Sequence, residues 1–135
     1  MKKQNLKTLL IFILLIACKS HAQEFSCINF KTGRFETYVN DKFSSKVVRS
    51  KKFQKEYTPK TGVKVKLKVE WIDDCTYKLT FVKANKKFYK NRNGKKVFPE
   101  LIVRIIDGNE TEYIFVSSFI GVKDFIHKAK AIKIK

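Results

Sequence analysis

The chain has 135 residues, with 30 Lys and Arg against 12 Asp and Glu, a net charge of +18 and only two histidines. That length excludes two independent hydrophobic cores. The scarcity of imidazole and the five scattered glycines leave little for acid–base machinery or a glycine-rich phosphate loop. The cationic excess favours contact with anionic material, such as lipopolysaccharide, acidic glycans, phospholipid headgroups or nucleic acid.

The first 22 residues read as a leader. Lys2, Lys3 and Lys7 form a positive start, and Leu9 to Ala17 is an apolar run too short to cross a bilayer. Ser20-His21-Ala22 is a small-x-small cleavage signal before Gln23. Leu15-Ile16-Ala17-Cys18 also has the form of a lipobox, which would place the cut after residue 17 and a lipid on Cys18. Both cuts stay open at this point, and either implies export to the periplasm or cell envelope, lipid-anchored or secreted. Residues 23–135 then form one β-domain. Loss of Lys2, Lys3, Lys7 and Lys19, with no acid among the residues removed, lowers the net charge by four, from +18 to +14.

Export fits the remaining cysteines. Cys27 and Cys75 survive either cleavage into an oxidising compartment, so a disulfide between them is expected.

In chain order, Phe30 to Val39 reads as the first strand, with Gly33 marking a bulge or a close backbone approach, and Asn40-Asp41 as a turn. A second strand is expected from Lys46 to Tyr57. Its pattern is weak, because Val48, Phe53 and Tyr57 do not share one phase, which suggests a bulge or an edge position. Pro59 ends it and Thr61-Gly62 turns the chain.

The strongest signal follows. Val63, Val65, Leu67, Val69 and Trp71 alternate with Lys64, Lys66, Lys68 and Glu70. After Ile72-Asp73-Asp74, Cys75, Tyr77, Leu79 and Phe81 alternate with Thr76, Lys78 and Thr80. A period of two on both sides of a turn predicts an antiparallel hairpin with one dry face.

Lys83 to Lys96 is rich in lysine without an acid, and reads as a loop or short irregular helix with a turn at Asn93-Gly94. Leu101, Val103 and Ile105 alternate up to Asp107-Gly108-Asn109, and Tyr113, Phe115, Ser117 and Phe119 share a face of the returning strand, a second hairpin. Gly121 to Ile126 connects to a closing or edge strand over Lys128 to Lys135. The reading is all-β: about seven antiparallel strands in a meander, closed into a small barrel or half-barrel of lipocalin-like form, with a two-layer sandwich as the alternative.

Two clusters, Cys27 with Phe30-Lys31-Thr32-Gly33-Arg34-Phe35 and Trp71-Ile72-Asp73-Asp74-Cys75, carry a resemblance. The chain resembles small exported or lipid-anchored proteins of Bacteroidetes, especially flavobacteria, that share C-x-x-F-x-T-G-x-F and W-x-x-D-C motifs. The resemblance implies an exported domain and carries no catalytic or ligand residues with it. Some of that group bear the name DNA topoisomerase IV. A type II topoisomerase needs separate ATPase and DNA-gate modules, which one small domain cannot house.

No catalytic residue, metal site or cofactor is expected. His127 is a lone imidazole among lysines and reads as a surface residue. Asp73 and Asp74 are adjacent on the chain and read as turn composition rather than as a carboxylate pair. Lys86, Lys87, Phe88, Tyr89, Lys90 and Arg92 mix cations with aromatic faces, the combination that holds polyanions. Trp71, Tyr77, Phe81, Phe115 and Phe119 would line a ligand cavity if the barrel is open. The expected function is non-enzymatic binding of an envelope partner or an anionic surface compound, a glycan or a lipid. The alternative is a lipocalin-like carrier of a small apolar ligand. Nucleic acid is not an expected partner, and membrane contact is expected only through a lipid anchor.

Overall fold

A computed structural model describes residues 25–93, 95 and 98–135, so the leader, both cleavage signals and Cys18 lie outside the described residues. Eight antiparallel strands close into a barrel: β1 (Gly33–Val39), β2 (Lys42–Arg49), β3 (Phe53–Thr58), β4 (Val63–Trp71), β5 (Thr76–Ala84), β6 (Leu101–Gly108), β7 (Glu112–Phe119) and β8 (His127–Ile134). Each strand pairs with its neighbours in sequence. The seam is made by β8 returning to β1, with Arg34 opposite Ile134 and Tyr38 opposite Lys130. The two-layer sandwich is thereby excluded, and no strand is left with a free edge.

The count is eight rather than seven because the expected strand over Lys46 to Tyr57 is two strands. Ser50 makes the break: its N–H donates to the Phe53 carbonyl at 2.8 Å, and its hydroxyl accepts from the Phe53 N–H at 3.2 Å. A serine hydroxyl bonding to the local backbone is ordinary turn chemistry, and here it shifts the inward phase between Arg49 and Gln54. The first strand also starts later than expected, at Gly33, because Cys27–Phe30 forms a single 3-10 turn.

At Gly33 the backbone has φ +138°, and an added Cβ would lie 3.0 Å from Lys133 Cε on β8, so the glycine serves a close approach across the seam. Asn40 and Asp41, both at positive φ, form the two-residue β1–β2 turn. Ladder irregularities at Thr37/Tyr38, Lys66/Leu67 and Ile105/Asp107 bend the strands in the way that closure of a small barrel requires.

The two ends of the barrel differ. At one end the 3-10 turn lies across the opening and is tied to the β4–β5 turn by the Cys27–Cys75 disulfide. Phe30, fully buried, packs its ring 4.8 Å from that of Tyr113 and 6.4 Å from that of Phe35. Phe35, Val47, Val69, Tyr77, Leu79, Val103, Ile105 and Ala131 continue the same core cluster inward. At the other end the only regular structure described is a short helix, α1 (Lys86–Lys90), in the β5–β6 connection. Asn85 caps it, accepts from the Lys64 N–H at 3.1 Å and donates to the Gly62 carbonyl at 2.9 Å, which pins the helix to the β3–β4 turn.

Candidate ligand cavity inside the barrel

The interior is not filled from end to end. An eight-stranded barrel has just enough inner width either for side chains alone or for side chains and one small ligand. Here a partly open cavity of about 220 Å³ remains above the plugged end. Its volume is below the usual span for drug-sized ligands, roughly 300–1,000 Å³, and suits a compact one.

The inner end of the cavity is built around Arg49, the last residue of β2, which is only 4 % exposed. Its Nε donates to Gln54 Oε1 at 2.6 Å and its Nη1 to the Phe30 carbonyl at 2.8 Å. Its Nη2 donates to the hydroxyls of Tyr77 at 2.7 Å and Tyr113 at 3.0 Å. Four of the five N–H donors of a guanidinium are therefore used. The group also lies 4.5 Å from the Tyr77 ring centre and 5.0 Å from that of Phe35.

Among the described residues no carboxylate forms an ion pair with Arg49. The nearest acid, Glu56, is reached through an intermediary: Gln54 Nε2 donates to Glu56 Oε1 at 2.5 Å. Burial works against the Arg49 charge. The oxygens of Tyr77 and Tyr113 and the Glu56 carboxylate outweigh it, and the pKa of Arg49 is raised. Burial, above all, pushes the Tyr77 phenol well up, with Arg49 opposing and Tyr113 adding, so Tyr77 keeps its proton and stays a donor.

Glu56 lines the cavity, and burial pushes its pKa above the ordinary 4.5, against the lowering effects of Gln54 and Arg49. The folded protein thus holds this proton more tightly than the unfolded chain. The charge costs nothing below the unfolded pKa, its cost grows as pH rises through the folded value, and it is complete above that. A Glu56→Gln variant is accordingly expected to be more stable than the parent near pH 8 and little different near pH 4. Urea unfolding at both values checks this; an equal difference at the two would show that the carboxylate bears no burial penalty.

Higher in the barrel, Thr37 and Ser45 share a hydroxyl bond of 2.7 Å across β1 and β2, and Ser117 and His127 face each other across β7 and β8. Leu79, Leu101, Val103 and Phe115 make up much of the apolar wall. His127 is thus half-buried at the mouth of the cavity, where the sequence reading expected a surface residue.

Of the five aromatic residues expected to line a cavity, Tyr77 and Phe115 do so. Trp71 lies at the plugged end, 4.6 Å from the Tyr77 ring and under Lys31 Nζ, with its buried Nε1 unpartnered among the described residues. Phe81 stacks on Phe88 and packs at a tilt on Phe98, and Phe119 packs on Phe125, both outside the cavity lining.

The expected polyanion set sits on and just after α1. Phe88 and Tyr89 are half-buried in that aromatic cluster, with the Arg92 guanidinium 4.8 Å from the Phe88 ring, so those rings face each other more than solvent. Lys86, Lys87 and Lys90 remain exposed. Asp73 accepts from the Cys75 N–H at 2.9 Å, while Asp74 pairs with Lys31 at 2.9 Å, so the two carboxylates serve separate partners. Among the described residues, no three His, Cys, Asp or Glu side chains gather in a way that could hold a metal ion.

Arg49, Gln54 and Glu56 are the residues that sequence reasoning missed. The signal was present in inverted form. Across β2 and β3 the polar Ser45, Arg49, Gln54 and Glu56 turn inward, while Val48, Phe53 and Tyr57 are exposed. Compared with protein-family models, curated proteins and solved structures, the chain matches none.

Proposed function

We propose that this protein is a non-enzymatic binding barrel of the cell envelope that receives a compact, polar small molecule, with a carboxylate or similar acceptor group directed at the inner end of the cavity. One observation carries the reading: a buried guanidinium, with no carboxylate in ion-pair contact among the described residues, lines the inner end of the cavity together with the two phenols it donates to. Both phenolic oxygens already accept from Arg49, so their O–H protons are available to donate. One can pass between the rings, and the other is left for a ligand. In a site of low dielectric, a positive charge behind such a donor strengthens its attraction for an acceptor.

The polar lining also moves the ligand class away from the purely apolar cargo of the alternative reading. A wall of Leu79, Leu101, Val103 and Phe115 suits a short hydrocarbon body, and the inner end suits its acidic head. Export is supported by the leader pattern and by the disulfide, which persists in an oxidising compartment.

The test is an NMR titration of the purified protein with short aliphatic and aromatic carboxylates, each beside its neutral primary amide. Acids should shift the amides of Arg49, Tyr77 and Tyr113 and bind more tightly than their amides. Tyr113→Phe should weaken that binding by about tenfold, the size of one lost hydrogen bond to a charged group. Equal affinities for acid and amide, or an unchanged affinity in Tyr113→Phe, would overturn the assignment.

A further inference from the structure

The same phase inversion that turns polar groups inward on β2 and β3 leaves apolar ones outside, and it does so among lysines. On the outer wall of β2–β5 runs an open groove of about 470 Å³ whose exposed lining is overwhelmingly apolar. Val48, the ring of Tyr57 and the aliphatic stems of the surrounding lysines supply that surface.

Five lysines border the groove: Lys46, Lys55, Lys64, Lys66 and Lys83. None of them makes an ion pair among the described residues. Glu56, the one acid touching the groove, bonds through its carboxylate to Gln54 and also lines the interior cavity.

The lysines are also in register. Lys55 lies directly opposite Lys66, and Lys66 directly opposite Lys83, three cations in a row across β3, β4 and β5. Lys46 and Lys64 flank Tyr57 on the next row. Like charges directly opposite each other destabilise a sheet, and an anion seated between them relieves that repulsion. A polyanion alone would need the charges. Only an amphiphile uses both the charges and the apolar floor between them.

We propose that this face is a docking surface for the anionic phospholipids of a membrane leaflet, with headgroup phosphates between the lysines and the first acyl carbons over Val48 and Tyr57. The membrane contact is thus through the barrel wall, and it needs no lipid on the chain itself. Long lysine side chains, with apolar stems and charged tips, are suited to such an interface, and each charge near an anionic leaflet adds to the attraction.

The experiment is co-sedimentation of the purified protein with vesicles of phosphatidylcholine alone and with phosphatidylglycerol added. Lys66→Glu is the informative variant, because the new carboxylate lies between Lys55 and Lys83, and those two opposite-charge pairs offset the lost contact of the Lys66 ammonium with the Phe53 ring at 4.0 Å. It is expected to weaken binding to the phosphatidylglycerol vesicles by about tenfold or more. Lys128→Glu on β8, on the opposite wall of the barrel and with the same change in net charge, should stay within about twofold, since a charge away from the contact is largely screened. Val48→Ser should weaken vesicle binding and leave heparin binding unchanged.

Absence of binding to phosphatidylglycerol vesicles would overturn the proposal. So would equal losses in Lys66→Glu and Lys128→Glu, which would mean general charge attraction. Vesicle binding insensitive to Val48→Ser would assign the face to polyanions instead, and a Lys66-dependent dimer in sedimentation velocity would assign it to a second copy of the chain.

Discussion

Replacing both Cys27 and Cys75 with serine is expected to cost about 4 kcal/mol, because the bridge closes a loop of 48 residues and so restricts the unfolded chain. For a domain of this size that corresponds to a fall in melting temperature of roughly 15–25 °C. The loss has a structural side as well. The bridge holds the 3-10 turn over the barrel end, and that turn supplies both the Phe30 ring against Tyr113 and the Phe30 carbonyl that receives Arg49. Thermal unfolding of the double variant beside the parent checks the figure. A shift below about 5 °C would mean that the plug is held by packing alone.

Arg49→Ala is expected to destabilise by a comparable amount, about 3–5 kcal/mol, from buried acceptors left without their donor and from the space a large buried side chain vacates. The variant strips a partner from Gln54, the Phe30 carbonyl and two buried phenols at once, and it opens a void between aromatic rings. Arg49→Lys should recover only part of the loss, since a point charge with three donors cannot reproduce a planar fork that reaches four acceptors. Urea unfolding of the three proteins decides it. A lysine variant equal to the parent would show that charge alone matters at this position, and an alanine variant within about 1 kcal/mol would show that the network contributes little.

Much of the architecture was legible from alternation. The hairpin from Val63 to Phe81 could be read directly, because Lys64, Lys66 and Lys68 leave no doubt about which face is wet. The β6–β7 hairpin followed from similar local evidence, and the cysteine pairing from the expectation of an oxidising compartment that leaves two cysteines to pair. The β2–β3 hairpin did not, and for a physical reason. Alternation identifies a strand, but it assigns the inner face only if apolar residues go inside.

At Val48, Phe53 and Tyr57 they go outside, so a reading that seeks one dry face finds a broken phase and infers one irregular strand. The candidate cavity was hidden for the same reason. Tyr77 and Phe115 lie on strands with ordinary polarity and could be named in advance. Arg49, Gln54 and Glu56 look like surface residues until the seam is closed and their positions are fixed relative to Tyr77 and Tyr113. Trp71 was placed on the inner face by its alternation with Glu70. What alternation does not report is height along the barrel axis, and that is what sets Trp71 among the plug residues.

The pairing of Arg34 with Ile134 sets an order of events during synthesis. Partners about a hundred positions apart must meet before β1 and β8 satisfy each other's backbone groups, and contacts so distant in sequence are the slow ones to form. A ribosome releases the start of the polypeptide long before its final segment, so during most of translation the native circuit of backbone hydrogen bonds has no last member. Closure of the barrel therefore waits for β8, whereas the β4–β5 and β6–β7 hairpins can pair as soon as their own residues have emerged.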